Sequence, residues 1–346
     1  MEEWLKQLLL GSNWAVLCGV IAAGLYALGK AANRLVTLAV SLSERSGVPK
    51  MVIAATVVSL GTTTPEAAVS VLAAIGGAPG LSLGNAVGSV ICDTGLILGL
   101  ACLVAPLTLD RTIVNRQGWI QLGAAAALVM LTFPWNRPAS VFSDGGRLPQ
   151  AAGILFIAAL GVYLYMSIRW VSSGVSRTEG AELVPSADGR RANIAVILLR
   201  LALALALVVL SAQVLIPAVT VAAERLQVPE GIIAATLVAF GTSLPELVTA
   251  VAAARKGHGE IAVGNVIGAD ILNVLFVAGA SAAVTRGGLA ADGHFFRVLF
   301  PMMLLVLIVF RIGIVFSRDR MKRGFGVILL AAYGIYLLVS YSVRTQ

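Results

Sequence analysis

The stretch IAATVVSLGTTTPE at residues 53–66 returns as IAATLVAFGTSLPE at 233–246, and GNAVGSVICD at 84–93 returns as GNVIGADILN at 264–273. Val48-Pro49 likewise returns as Val228-Pro229. Every match sits at one offset of 180 residues, and 20 of 52 positions are identical between 48–99 and 228–279 without a gap. Apolar segments resemble one another by composition alone, but composition does not align Gly, Thr, Pro, Glu and Asn in a single register. The chain is therefore an internal duplication, and the orientation of its two copies follows from what separates them.

What separates them is membrane-crossing sequence. Of 346 residues, 58% are hydrophobic and 12% charged, against roughly 25% charged in a soluble domain. The mean hydropathy is +0.93. One soluble core could not hide that much apolar surface, so a soluble enzyme and a disordered chain are both excluded. Ten apolar runs can be traced, at 13–43, 52–75, 82–105, 115–134, 149–171, 192–222, 231–254, 261–285, 295–316 and 324–342. The expected fold is an all-α integral membrane protein of about ten transmembrane helices. The first and sixth runs, near 30 residues, exceed what a bilayer core requires and should tilt. Trp14, Trp119, Trp135 and Trp170 fall at run ends, as an aromatic belt would.

Equivalent points of the two copies are five runs apart, and five is odd. The copies therefore cross the membrane in opposite directions, giving two inverted five-helix repeats, the architecture that places a transport site where repeats meet near the midplane. The expected organisation is a first repeat at 1–171, a cytoplasmic connecting loop at 172–191 and a second repeat at 192–346. Basic residues at the run ends divide 14 to 7 in favour of the side that holds this loop, so a multi-pass protein of the inner or plasma membrane with both termini extracytoplasmic is expected. The net charge of +8 is thus a loop property and not a nucleic-acid footprint. Cys18, Cys92 and Cys102 read as small apolar residues, with neither a disulfide framework nor a zinc site. The acidic start, Met1 to Lys6, is unlike a cleavable leader, so the first run should persist as a span. Nothing points to an obligate protein partner or a cofactor.

Of 17 acidic residues, four lie well inside apolar runs, Glu66, Asp93, Glu246 and Asp270, and all four fall in the duplicated segments. A carboxylate at that depth costs several kcal/mol unless it meets a partner or a wet cavity. No Lys or Arg in the runs stands near them, so a bound cation is the simplest source of positive charge. Pro65 lacks an N–H and leaves the Gly61 carbonyl without its helical donor. Gly241 and Pro245 repeat the device, and a helix broken at this depth is tolerated only where freed groups face protein or a polar cavity. Thr62 and Thr63 share a helix face with Glu66, and Thr242 and Ser243 share one with Glu246. Asn85, Ser89 and Asp93 form a second polar stripe, matched by Asn265, Ala269 and Asn273. Such an all-oxygen donor set suits hard cations, Ca2+ or Na+. Asp270 sits about 100° around the helix from its stripe and reads equally as a supporting ligand or an interhelical hydrogen-bond acceptor. Asn85 and Asn265 can equally be helix bridges. The Gly84/Gly88 and Gly264/Gly268 pairs are small-xxx-small packing signatures.

The paired motifs resemble the alpha-repeats of the sodium/calcium exchanger group, within the cation/calcium exchanger superfamily. The motifs cover about 100 residues, and the five-plus-five layout extends the likeness along the chain. The resemblance implies alternating access, in which the long first and sixth helices slide past a core that holds the ions. By position it places ion ligands on Thr62, Thr63, Glu66, Ser89 and Asp93. In the second copy it places them on Thr242, Ser243, Glu246, Ala269 and Asn273, with backbone carbonyls at Ser59 and Ala239. The two glutamates would bind Ca2+. Prokaryotic relatives carry GSN where this chain has Gly88-Ser89-Val90 and Gly268-Ala269-Asp270, and Ala269 has no hydroxyl to give a sodium ion. The proton-coupled branch carries an acid at the positions of Gly88 and Gly268, so the resemblance leans toward sodium coupling.

Up to three carboxylates in one low-dielectric pocket make an empty, ionised site costly. The protein could then turn between faces only when loaded with Ca2+ or with several Na+ or H+, which is obligatory exchange. The expected function is a Ca2+/Na+ antiporter and not an enzyme. A Ca2+/H+ antiporter on the same fold is the near alternative. A passive cation channel would not require the inverted repeats. An intramembrane aspartyl protease built on Asp93 and Asp270 would leave both glutamates without a role.

Overall fold

The computed structural model describes residues 2–172, 194–226, 242–317 and 319–344. A short helix, α1 (Glu2–Leu10), precedes the 33-residue α2 (Trp14–Ser46). Asn13 starts α2 by accepting from the Val16 N–H at 2.9 Å. Gly47, at φ +70, ends it by donating to the Ser43 carbonyl, the left-handed closure that glycine tolerates best. The next span is broken into α3 (Lys50–Thr62) and α4 (Thr64–Ile75), bent by 45°. The first half continues through α5 (Pro79–Val104), α6 (Arg111–Thr132) and α7 (Gln150–Ser172). The second half contains α8 (Ile194–Arg225), α9 (Leu244–Arg255), α10 (Gly259–Val284), α11 (Phe295–Phe316) and α12 (Arg323–Arg344).

Seven of these helices are long and apolar enough to cross a membrane, and the α3–α4 pair makes an eighth. The two remaining expected runs have plain reasons for standing apart. α6 carries Arg111, Arg116, Gln117 and Gln121, and Asp110 caps it ahead of the apolar stretch by accepting from the Ile113 N–H at 3.1 Å. Trp119 consequently lies two turns inside α6 and not at its end, where the Arg311 guanidinium of α11 stacks 4.5 Å from its ring. The run at 231–254 is described only from Thr242 onward. The connecting loop beyond Ser172, Val228-Pro229 and Ala239 lie outside the described residues.

The chain is not wholly helical. β1 (Leu107–Thr108) pairs antiparallel with β4 (Arg320–Met321), and β2 (Gly146–Leu148) with β3 (Leu289–Ala291). β1 and β3 each follow the third span of their half, whereas β2 and β4 each precede the fifth. Each half thus lends one strand to each ribbon, as a two-fold exchange between inverted copies requires. A ribbon forms only between segments on one membrane face, so an even number of crossings must separate its strands. Six expected runs separate β1 from β4, and four separate β2 from β3.

α5 and α10 are the centre of the molecule. In their most apolar 18-residue windows 72% and 94% of residues are buried, compared with 28% for α2 and α8. The two long helices pack on each other at the periphery. α1 lies against α8, where Leu9 and Leu17 meet Ala218 and Val221. Arg225 ties this corner together by donating to the carbonyls of Leu9, Leu10 and Ser12 at 3.0, 3.0 and 2.6 Å.

α10 approaches α3 closely because Gly264 and Gly268 have no side chain. A β-carbon on Gly268 would lie 2.4 Å from the Ala55 carbonyl oxygen, and one on Gly264 would lie 2.5 Å from that of Met51. These neighbours are backbone and cannot swing aside. Gly268→Ala should therefore lower the thermal midpoint and the folded yield in detergent, by an overpacking cost of about 1–3 kcal/mol. Gly161→Ala, on the exposed face of α7 with nothing within 4 Å of its added carbon, should leave both unchanged or slightly raised.

Candidate cation site

The breaks in the apolar helices create the site. At the junction of α3 and α4, Thr63 has φ −83 and ψ −5, and Pro65 lies in the first turn that follows. Ser243 holds the matching position ahead of α9, with φ −87 and ψ 10 and Pro245 behind it. Each of these helix starts carries a hydroxyl and has a glutamate in its first turn, Glu66 in α4 and Glu246 in α9. π turns widen the facing helices at Cys92–Ile97 in α5 and Asn273–Ala278 in α10. They fall one residue apart in the repeat register and begin at or beside Asp93 and Asn273. Such turns loosen the regular backbone ladder and recur at functional sites.

These elements bring the two halves together at their polar residues. Thr63 of the first half donates to Glu246 Oε1 of the second at 3.3 Å. Asn273 Nδ2 of the second donates to Asp93 Oδ2 of the first at 3.3 Å. Glu66 lies three residues beyond Thr63, in the first turn of α4, and its Oε2 has no hydrogen-bond partner among the described residues. Ser59, Thr62, Thr63, Glu66, Ser89, Asp93, Ser243, Glu246 and Asn273 are all buried. Thr242 is half-buried. Ala239 lies outside the described residues, so its carbonyl is not located.

The acids have no basic partner. The ion pairs among the described residues are Lys6–Glu224, Lys50–Glu260 and His258–Glu260, and none involves Glu66, Asp93, Glu246 or Asp270. On each acid an oxygen remains without a hydrogen-bond partner among the described residues: Glu66 Oε2, Asp93 Oδ1, Glu246 Oε2 and Asp270 Oδ1. The Oγ atoms of Ser59, Ser89 and Ser243, Thr242 Oγ1 and Asn273 Oδ1 are also open. Burying one such atom without a partner costs about 1–3 kcal/mol, more if it is charged. A cation coordinated by oxygens would satisfy many at once. The Ser59 carbonyl is already engaged, accepting from Thr62 Oγ1 at 3.2 Å and from the Thr63 N–H at 2.8 Å. Among the described residues no group of three or more His, Cys, Asp or Glu side chains gathers at one point. The donors are mixed carboxylate, hydroxyl and amide, an oxygen set that suits Ca2+ or Na+.

Ser70, Thr94 and Gln121 join this region although the sequence did not mark them. Asn85 does bridge helices, donating to Ser70 Oγ at 2.9 Å. Its repeat mate Asn265 is buried with neither amide atom partnered among the described residues, because the mate of Ser70 is Ala250. Asp270 Oδ2 accepts from Thr94 Oγ1 and from Gln121 Nε2, each at 2.5 Å. Gln121 lies on α6, outside the duplicated motif. The available signal was Gln117 and Gln121 one helical turn apart inside an apolar run.

A membrane protein whose two inverted halves deliver paired acids to a buried oxygen-rich centre is an ion exchanger by architecture. The comparisons identify the family. The sequence model described as sodium/calcium exchanger protein matches residues 16–169 and 196–342, so the chain belongs to that family, a family of transporters and not of enzymes. It is 34% identical over 329 residues to the inner membrane protein YrbG of Escherichia coli, covering 93% of this chain and 96% of that one. It is 31% identical over 349 residues to the sodium/calcium exchanger MaX1 of Methanosarcina acetivorans, covering 94% and 98%. Its fold is similar to that of the sodium-calcium exchanger NCX_Mj, with a TM-score of 0.75 at 25% identity over 94% of this chain and 99% of that one.

Thr63→Val keeps the volume at the first break but removes the hydroxyl donor to Glu246. A hydrogen bond to a charged group is worth about 1.5–3 kcal/mol. Calorimetric Ca2+ titration of the purified protein should show Kd raised roughly tenfold or more, with the thermal midpoint of the ion-free protein lowered by the lost bond. An unaltered Kd would mean that the contact does not serve the ion.

Proposed function

We propose that this chain exchanges Ca2+ for Na+ across the membrane by alternating access. The observation that carries the reading is the pair of hydrogen bonds that joins the two halves at their acids, Thr63 to Glu246 and Asn273 to Asp93, with no basic residue paired to Glu66, Glu246 or Asp93 among the described residues. Such a pocket is costly to expose empty to a low-dielectric barrier. Charge compensation by Ca2+ in one direction and by Na+ in the other makes turnover conditional on cargo, which is coupling and not leak. The glutamate pair takes Ca2+. Hydroxyls at Thr62, Thr63, Thr242, Ser243 and Ser89, together with Asp93 and Asn273, serve Na+ and complete the shell, and the Ala239 carbonyl belongs to the same set by repeat position.

The moving part is the pair α2 and α8, which packs on the core largely through apolar contacts, such as Leu205 of α8 over Gly61. Lys256, between α9 and α10, reaches α2 by donating to the Asn33 carbonyl and to Thr37 Oγ1, at 2.5 and 2.7 Å. The repeats occupy 1–171 and 192–346 in this reading, with 172–191 as a cytoplasmic connection and both termini on the extracytoplasmic side. The excess of Lys and Arg in the loops of one face supports that orientation. The relatives named as sodium/calcium exchangers support the choice of ions.

Reconstituted protein should accumulate Ca2+ in vesicles driven by an imposed Na+ gradient and not by an imposed pH gradient in sodium-free buffer. Glu66→Gln and Glu246→Gln should each reduce that flux at least a hundredfold while the protein remains monodisperse. Uptake driven by the pH gradient alone would assign the chain to Ca2+/H+ exchange, and substantial flux in both glutamine variants would end the assignment. A reporter fused after Gln346 should be active only if its fold matures outside the cytoplasm.

A further inference from the structure

Arg311 is a cation inside the apolar span FPMMLLVLIVFRIGIVF, five residues short of its end. Exchange gives it no role, and no carboxylate pairs with it among the described residues. Its guanidinium lies across the neighbouring α6, 4.5 Å from the Trp119 ring, and a β-carbon on Gly118 would lie 3.0 Å from its Nη1. Stacking engages the flat face of a guanidinium, whereas its N–H donors point outward in the plane and want acceptors. Nε and Nη1 are enclosed with no acceptor among the described residues, and Nη2 is left at the surface.

A second arginine is pinned on the opposite flank of α6. Arg116 stacks 4.3 Å from the ring of Trp170, near the end of α7. Residues 116 and 118 are about 200° apart around the helix, so the two guanidinium groups approach α6 from either side. Between them lie Thr112, Asn115 and Trp119, all exposed. The two arginines share one membrane face. β1 leads into α6 and pairs with β4, which follows α11. Arg111, at the start of α6, donates to the Ser317 carbonyl at the end of α11 at 3.1 Å. It adds a third positive charge to this end of the strip. Neither Arg111 nor Arg116 pairs with a carboxylate among the described residues.

An arginine that needed only water would extend toward the bulk along its own helix. These two are held against rings on neighbouring helices instead. What suits them is an anion with several acceptor oxygens that reaches the level of Trp119 while remaining in lipid. A soluble anion would have to leave water to do so, whereas interfacial tryptophans stand at the level of phospholipid headgroups. Ile308, Ile312 and Val315, on the Arg311 side of α11, are exposed and offer acyl chains an apolar wall.

We propose that this strip of α6 binds the headgroup of an anionic phospholipid, with Arg116 and Arg311 donating to its phosphate oxygens from the two flanks. Trp119 and Trp170 are positioning residues that hold the guanidinium groups in place. The leaflet is the one on the side of the β1–β4 ribbon, where Arg111 adds to the attraction.

The test uses the full chain in phosphatidylcholine vesicles, with brominated lipids that quench tryptophan fluorescence on contact. Dibrominated phosphatidylglycerol at low mole fraction should quench more strongly than the same fraction of dibrominated phosphatidylcholine. Each arginine beside an anionic headgroup contributes about fivefold in affinity, so Arg311→Gln and Arg116→Gln should each lower the preference by about that factor. Arg116→Gln serves if Arg311→Gln does not fold. Arg137→Gln, exposed in the segment at the other end of α6, should keep the full preference. Equal quenching by the two lipids in the unaltered protein would overturn the proposal. So would a loss in Arg137→Gln as large as in the two strip variants, which would mean diffuse attraction to the whole basic protein. Millimolar inorganic phosphate should leave the preference intact; its removal by phosphate would mean a site for a soluble anion and overturn the lipid assignment.

Discussion

Four carboxylates held in a membrane interior without a basic partner are the constraint on which the rest of this molecule depends. Water cannot reach them in quantity, and no Lys, Arg or His is paired to them among the described residues. Their stability therefore depends on hydroxyl and amide donors and, in the proposed exchange, on a bound cation. The helices around them give up regular structure to meet that need. The 45° break at Thr63 and the π turns in α5 and α10 are all departures from the ideal ladder. A lipid-facing helix could not sustain them. They are confined to elements that other helices cover, with α10 the most deeply buried of all.

The duplication provides a symmetric frame, and function has been written into its asymmetries. The two ribbons, β1 with β4 and β2 with β3, exchange strands between the halves and hold the inverted copies in one register. Within that frame Asp93 faces Asn273 where a strict repeat would have matched residues, so the amide of one half donates to the acid of the other. Two facing acids would repel, and two facing amides would leave no charge for a cation. Ser70 has no serine mate, so Asn85 bridges helices while Asn265 keeps its amide open. Asp270 and Ala269 together replace a hydroxyl with a carboxylate. Each of these differences moves charge or hydrogen-bonding capacity from one half to the other without disturbing the backbone.

Much of this was legible in the residues. A 180-residue offset with five runs between the copies requires inversion by counting alone. The acids that matter could be picked out because so few charges enter the apolar runs. The kinks followed from Gly61 and Pro65, since a missing N–H removes a specific backbone bond. Less was legible where a residue looked like its apolar surroundings. Gln117 and Gln121 sat in a run read only as a span, and α6 began four residues ahead of that run because Asp110 caps it. The short strands at the loops carried no periodic signal, being two or three residues long.

The sequence by itself determined the solvent, the duplication, the opposite sense of its copies and the acids on which exchange would rest. These depend on composition, spacing and parity, which are properties of one chain read in order. Only the tertiary structure decided which oxygen of each acid is engaged and which is open, that Thr63 serves the glutamate of the other half, and that Gln121 of α6 and Thr94 of α5 hold Asp270. Those outcomes depend on the rotation and approach of helices far apart in sequence. Gly264 and Gly268 set that approach to within a carbon atom's width, and no pattern along a single helix encodes it.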